Sequence, residues 1–481
     1  MDMPHSSQPR RFTSRRELLF EAAGGISGLG LASILAEQGL LAGPTTSPYA
    51  PKNPHFPARA KRVISLFMSG GVSQMDTFDP KPMLTKYAGT PLEGKGDVVV
   101  RQGHPGPLMP SPFEFKKYGR GGLEISELFT NVARHADDLA VVRTVIGRSN
   151  DHVMAHYELS SGMIRMGAPS VGAWVTYGLG SENQNLPAYV VIYDARGGPF
   201  GGPANWTAGY MPAAYQGTVF RAKGDAIFDL KPPKEVTPES QRARLDLLAK
   251  LNEIDAQKNP ANSELAARIA SYELAYKMQS SAPEAVDVEN ETPATKKLYG
   301  LDEPITEPFA RQCLMARRLV ERGVRFVQVY HGGLGNQNTD TWDAHGNVQE
   351  NHTQHAAEVD RPIAGLLEDL KGRGLLDDTL VIWQSEFGRM PISQRGLGRD
   401  HNPGTMSIWM AGAKIKGGQA IGESDEFGYK AAIQPVNVHD LHATILHLMG
   451  MDHTKLTYHY QGRNMRLTDV YGEPIPQIVT R

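Results

Sequence analysis

Residues 324–352, VRFVQVYHGGLGNQNTDTWDAHGNVQENH, constrain this chain more than any other stretch. The first six, 324–329, are β-prone and read as a buried strand. Two glycines follow, then Asp340, Asp343, His345 and His352 within a short loop. Open α/β sheets hold their ligands in loops at the carboxyl ends of strands. A second stretch answers the first. Residues 379–383 (TLVIW) form another strand, followed by Gln384-Ser385-Glu386-Phe387-Gly388-Arg389 and then Arg399-Asp400-His401-Asn402. A chemical site is expected where these two loops meet.

The rest of the chain supports a large α/β protein. Its 481 residues can bury a substantial core, and a net charge of −2 gives no reason to expect a nucleic-acid partner. Cys313 is the single cysteine, so an internal disulfide and a thiolate metal cluster are both excluded. Any metal must therefore be held by His, Asp and Glu.

Near the start, Arg15-Arg16 precedes a mild Gly/Ala-rich apolar run, residues 22–35, and a small-residue region near Ala42-Gly43. This reads as a twin-arginine export signal over 1–43, implying the export machinery as a partner and a periplasmic or extracellular destination. An amphipathic soluble helix is the plainer alternative. A Pro-rich linker is expected over 44–61 and the mature domain over 62–481. No other apolar segment is long enough for a stable membrane span, so a soluble mature protein is expected.

Within the domain, strands are predicted over 62–68, 139–145, 186–193 and 406–410, and helices over 127–136, 311–322, 355–372 and 438–449. Residues 88–118 read as an irregular excursion. Residues 232–300 read as a helical insertion, with helices over 241–254 and 263–278 and a polar connector over 280–295. Strands alternating with such helices point to a mainly parallel sheet covered on both faces.

The candidate chemistry is that of a metal site. Asp343 and His345, then Glu386, Asp400 and His401, offer oxygen and nitrogen donors at two strand ends, with Asp340 and His352 in reserve. His331, closing the first strand, is a further candidate. His152 and His156 lie four apart and share one helix face, either as half a metal site or as capping and core histidines. Arg389 stands where a guanidinium could pair with an anionic ester, or form a salt bridge to Glu386. Ser69-Gly70-Gly71-Val72-Ser73-Gln74 is not a P-loop, and no G-x-S-x-G elbow closes a strand.

The motifs SGGVSQMDTFDPKP, NDHVMAHYELSSG, ARRLVERGVRFVQVYHGG, TWDAHGN, RGLLDDTLVIWQSEFGRMP, GRDHNPG and VNVHDLHATILHLMGMD, spread over about residues 60–475, resemble the DUF1501 family. Those are exported, sulfatase-like proteins grouped with the alkaline-phosphatase-like fold. The resemblance implies metal ligation by Asp343 and His345, by Glu386 in the Ser385-Glu386-Phe387-Gly388 segment, and by His401. Phe387 departs from that pattern, which has a histidine there, and Ser69-Gly70 stands where an Asp is usual; Asp76 is a possible replacement. His152 takes the place of the superfamily's alcohol nucleophile. Cys313 keeps only the ends of a formylglycine motif (Cys313-Leu314-Met315-Ala316-Arg317) and reads as a buried structural thiol.

The expectation is an exported hydrolase of phosphate or sulfate esters that uses zinc, manganese or calcium. In it His152 acts as general acid/base or nucleophile and Arg389 steadies the anion, with an anionic ester or polysaccharide as substrate. The alternative is a non-catalytic metal- or glycan-binding protein on a degenerate version of the same fold.

Overall fold

In the computed structural model the predicted strand at 62–68 becomes β1 (Arg62–Met68), the centre of a nine-stranded sheet. The structure describes residues 47–480 except 97, 99, 229, 231, 259–262, 337 and 338. The expected export signal and residues 44–46 of the expected linker lie outside the described residues. From residue 47 to 61 the chain has no regular secondary structure but is strapped to the domain, with Lys52 N–H donating to Leu179 O (3.0 Å) and Arg59 N–H to Leu448 O (2.8 Å).

The other strands are β2 (Ala140–Ile146), β3 (Tyr189–Ile192), β4 (Thr218–Phe220), β5 (Phe326–His331), β6 (Thr379–Gln384), β7 (Met406–Gly412), β8 (Gln419–Ile421) and β9 (Val436–Asn437). Their spatial order is β8-β2-β7-β6-β1-β5-β3-β4, with β9 pairing β2. Strand β7 runs antiparallel to its neighbours β2 and β6; the other pairings are parallel.

Alternation along β1 shows why the sheet is buried on both faces. Ile64, Leu66 and Met68 pack with Val327, Val329, Val381 and Trp383 against helices α5 (Glu307–Glu321) and α6 (Val348–Gly372). Val63 and Phe67 face the other way, toward α1 (His152–Ser161), α2 (Val171–Leu179) and α7 (Val438–Leu448). The insertion contributes α3 (Pro238–Lys258) and α4 (Ser263–Val286). Cys313 is buried on α5, where burial raises its thiol pKa, as a structural cysteine should be.

Several elements differ from the sequence-based expectation. The predicted helix over 127–136 is broken into two 3₁₀ pieces, Glu127–Phe129 and Val132–Asp138. Between them the Asp360 carboxylate accepts the backbone N–H groups of Asn131 (2.9 Å) and Val132 (2.8 Å), which a continuous helix would keep for itself. The connector expected over 280–295 begins as the last turns of α4, held by burial of Ala282 and Ala285 in the core. Helix α6 starts at Val348 instead of 355, because Asn347 caps it by accepting Gln349 N–H and Glu350 N–H. Residues 88–118 include two short strands, Pro105–Leu108 and Phe115–Tyr118.

Candidate metal centre

Three strands end level with one another: Met68 of β1 lies beside His331 of β5, and Phe67 beside Gln384 of β6. The chain then turns over this edge at Gly70 (φ 121°) and Gly71 (φ 79°). A Cβ at Gly70 would lie 2.5 Å from Trp342 N and 2.6 Å from Asp343 N, so glycine is what lets the Asp343 loop close on the sheet. The opposite side is set by α1, whose N-cap Asp151 accepts Val153 N–H and Met154 N–H and so places His152 at the first helical position.

Asp343 is the point of convergence. Its Oδ1 lies 2.9 Å from His345 Nε2, 3.1 Å from His401 Nε2 and 2.7 Å from Arg389 Nη2; its Oδ2 lies 3.3 Å from His152 Nε2. The two histidine Nε2 atoms are themselves 2.9 Å apart. Each of these rings donates its other nitrogen to an oxygen: His345 Nδ1–H to Gln394 Oε1 (2.5 Å) and His401 Nδ1–H to Asn150 O (2.7 Å). Gln394 is oriented for this by its own amide, which donates to Gly103 O. In their neutral forms both rings therefore turn their Nε2 lone pairs toward each other and toward a carboxylate oxygen. Burial, aided by Arg389 and His152, lowers the His401 pKa to about 4 despite Asp343, which keeps that ring neutral. Bare nitrogen and oxygen donors repel unless a cation lies among them, and this donor set suits a divalent ion.

Glu386 stands behind this cage, fully buried, with Oε1 accepting Gly70 N–H (2.8 Å) and facing His152 Nδ1 (2.7 Å). His156 Nε2 lies 3.3 Å from the same oxygen. Ser385 Oγ accepts the N–H groups of Gly71 and Val72, tying the β6 end to the β1 loop. Burial opposes charge on Asp343 and Glu386. Arg389 and the surrounding histidines hold the Asp343 carboxylate well below its usual range, and His156 and His152 do the same for Glu386. His152, caught between the two carboxylates and stacked on Phe200 (4.0 Å between centroids), is pushed up to about 9 although burial acts against it. The pair of carboxylates demands positive charge between them.

Of the remaining sequence candidates, Arg389, Asp76, His352 and Asp340 fall outside this cage, each for a definite reason. Arg389 is fully buried, and its donors go to Gly71 O (2.7 Å), Arg399 O (3.0 Å), Gly70 O, Trp342 O and Asp343. It braces the cage and cannot reach a bound ester; its ion pair is with Asp343 and not with Glu386. Asp400 forms with His345 and His401 a group that could hold a metal ion, lying 3.9 Å from His345 Nδ1, while its carboxylate also accepts the N–H groups of Arg101, Gln102 and His401. Asp76 is buried against Arg399 (2.8 Å) and never approaches the metal donors. His352 Nε2 accepts Ser73 N–H (3.0 Å) and holds the β1 loop from beneath. Asp340 accepts Asn336 N–H within its own loop.

His331 belongs to a neighbouring cluster with His355 and Glu358, residues without a local sequence signal beyond their i, i+3 placement on α6. His331 Nδ1 accepts Trp342 Nε1–H (3.0 Å) and its Nε2 donates to Glu358 (2.7 Å). Arg196 binds Glu358 at 3.0 Å and 3.1 Å and also pairs with Asp194, so a guanidinium already fills the cation's place there. Gln394, Asn150 O and Phe200 were likewise invisible in the sequence. They matter only through what folds against them.

Fold and site together define a mixed α/β protein with a nitrogen- and oxygen-lined cage at the carboxyl edge of a mostly parallel sheet. The chain belongs to the DUF1501 family (Protein of unknown function), which matches residues 60–479. A search of curated proteins finds no match. Among solved structures the chain is similar to a sulfatase from Pseudoalteromonas sp., at 12% identity over 92% of this chain and 72% of that one, with a TM-score of 0.34. It is also similar to the alkaline phosphatase from the Antarctic bacterium TAB5 (11%, 79% and 96%, TM-score 0.32). A third is a phosphonate monoester hydrolase from Silicibacter pomeroyi (12%, 67% and 68%, TM-score 0.33). Among the described residues no helix is long and apolar enough to cross a membrane.

Proposed function

We propose that this chain is an exported metal-dependent hydrolase of phosphate or sulfate esters. The observation that carries the reading is the convergence of His345 Nε2, His401 Nε2 and Asp343 Oδ1 within 3.1 Å of one another, both rings having given their other nitrogen to an oxygen. His152, whose Nε2 faces Asp343 Oδ2 and lacks a hydrogen-bond partner, is the fourth donor. This nitrogen-rich set favours zinc or manganese over calcium. A divalent ion held there would supply Lewis acidity toward the ester and a bound water of lowered pKa.

The chain's own residues do the rest. Gln394 and Asn150 O fix the two imidazole tautomers, and Glu386 takes the Nδ1–H of His152, the outer-shell arrangement that raises ligand basicity. Arg389 holds Asp343 ionised and aimed inward. In this reading His152 is a donor and not a nucleophile, and the attacking group is water.

A second reading, a non-catalytic metal- or glycan-binding protein, draws support from Arg389 being locked away and from Phe387, which lies against His401 (centroids 4.4 Å apart). The test is metal content by mass spectrometry on natively exported protein, followed by hydrolysis of aryl phosphate and aryl sulfate esters. Stoichiometric metal with ester turnover that is lost in Asp343→Ala supports the hydrolase. Metal without turnover of either ester supports the binding protein, and folded protein that holds no metal sinks the hydrolase and leaves glycan binding as the reading to test.

A further inference from the structure

With Arg389 committed to the cage, an anionic ester needs another cation at the mouth of the site, and we propose that Arg395 is that residue. The inference rests on the metal-centre reading above. A cavity of about 370 Å³ opens beside Asp343 and His345, and Asn347, Glu350, Asn351 and Arg395 also line it. Arg395 carries the one guanidinium on this lining; its side chain is exposed, with no hydrogen bond or ion pair to another described residue. Every other arginine near the cage is engaged: Arg389 by Asp343, Arg399 by Asp76, Arg101 by Asp151, Arg196 by Asp194 and Glu358.

The position of Arg395 in the chain is as telling as its freedom. It follows Gln394, the residue that orients His345, and it opens a tight turn closed by Gln394 N–H to Gly398 O (2.7 Å) and Gly398 N–H to Gln394 O (3.0 Å). In that turn Arg395 has φ 53°, a left-handed conformation in which glycine or asparagine is the ordinary occupant. A long cationic side chain there gains nothing for the turn, and strain of this kind collects where a side chain is needed. A guanidinium offers a planar fork of donors that matches the oxygens of a tetrahedral oxyanion. Glu350 and the Asp343 carboxylate are the opposing charges on the lining, so the mouth accommodates one anionic group on an otherwise uncharged carrier and repels a second. The substrate class is thus a monoester whose remaining body is neutral.

The experiment titrates inorganic phosphate into zinc-equilibrated protein by calorimetry, with zinc content measured on the same samples. Arg395→Gly removes the guanidinium and suits the turn, so loss of folding does not confound it. The expected result is unchanged zinc, phosphate affinity weakened about tenfold or more in Arg395→Gly, and partial recovery in Arg395→Lys. Phosphate affinity within about twofold of wild type in zinc-loaded Arg395→Gly overturns the assignment alone, as does a zinc-loaded wild type that binds no phosphate. A wild-type chain that takes up neither zinc nor manganese overturns the metal-centre reading, and this inference with it.

Discussion

The Nε2 atoms of His345 and His401 stand 2.9 Å apart, and both lie within 3.1 Å of the same oxygen of Asp343. Each imidazole donates its Nδ1 proton to an oxygen of the protein, so in the neutral rings the Nε2 lone pairs are left for a shared cation.

Asp343→Ala should therefore abolish stoichiometric metal. The carboxylate faces three histidines, His345, His401 and His152, and its loss leaves Arg389 buried without its carboxylate. Inductively coupled plasma mass spectrometry on purified protein should show the metal-to-protein ratio falling about tenfold or more. Retention of the wild-type ratio would remove Asp343 from the ligand set.

Gln394→Leu leaves every proposed donor in place but takes away the acceptor for His345 Nδ1–H. Outer-shell partners of this kind are worth about 10–100-fold in metal affinity. Competition against a chromogenic chelator should show a loss of that size, with the folded circular-dichroism spectrum preserved. Unchanged affinity would mean that the His345 tautomer is set by something else.

Asp76→Asn probes a fully buried ion pair away from the metal donors. Asp76 and Arg399 are both completely buried, and Arg399 also donates to Met390 O and Met109 O. Breaking such a pair from one side costs about 3–5 kcal/mol, because the remaining charge stays buried. Urea denaturation should show a loss of this order. A loss below about 1 kcal/mol would place the pair in solvent.

His352 sets an acid limit on stability. Burial, with Arg389 adding to it and Asp76 opposing, lowers its pKa to about 3. The unfolded chain binds a proton near the ordinary value of about 6.5, so between those values it holds a proton that the folded chain refuses. Stability contributed by neutral His352 is complete above about pH 6.5 and declines as the pH falls toward 3. The slope is up to about 1.4 kcal/mol per pH unit for this one group. Its physical basis is the Ser73 N–H that Nε2 accepts. Glutamine can accept the same hydrogen bond without titrating, so chelator-treated His352→Gln should lose less stability between pH 6.5 and 4 than chelator-treated wild type. Equal slopes would remove His352 as the source.

Much of this was legible in the residues alone. The run at 324–329 and TLVIW at 379–383 became neighbours of one central strand, because near-continuous apolar strands are stable only when buried on both faces. Asp343, His345 and His401 were picked out as candidate donors, with Glu386 behind them, because they follow strand ends, and strand ends in a parallel sheet share one edge. The roles of Asp76, Arg389 and His352 were not legible. Each is a polar residue in a loop near the edge, and nothing in its own neighbourhood says whether it turns toward the cage or into the protein.

The pattern of strands and helices, the exclusion of an internal disulfide and the collection of His, Asp and Glu at two loop ends were determined by the sequence itself. They follow from periodicity and residue type, which act over a few neighbouring positions. Which nitrogen of His345 is bare, which carboxylate Arg389 braces, and whether Arg395 is free to meet a ligand were decided by tertiary structure alone. Those outcomes depend on hydrogen-bond partners 10 to 319 residues away along the chain, between Arg389 and Arg399 at one extreme and Arg389 and Gly70 at the other. A buried polar group takes whichever partner the fold delivers to it, since leaving it unpaired costs more than any local preference gains.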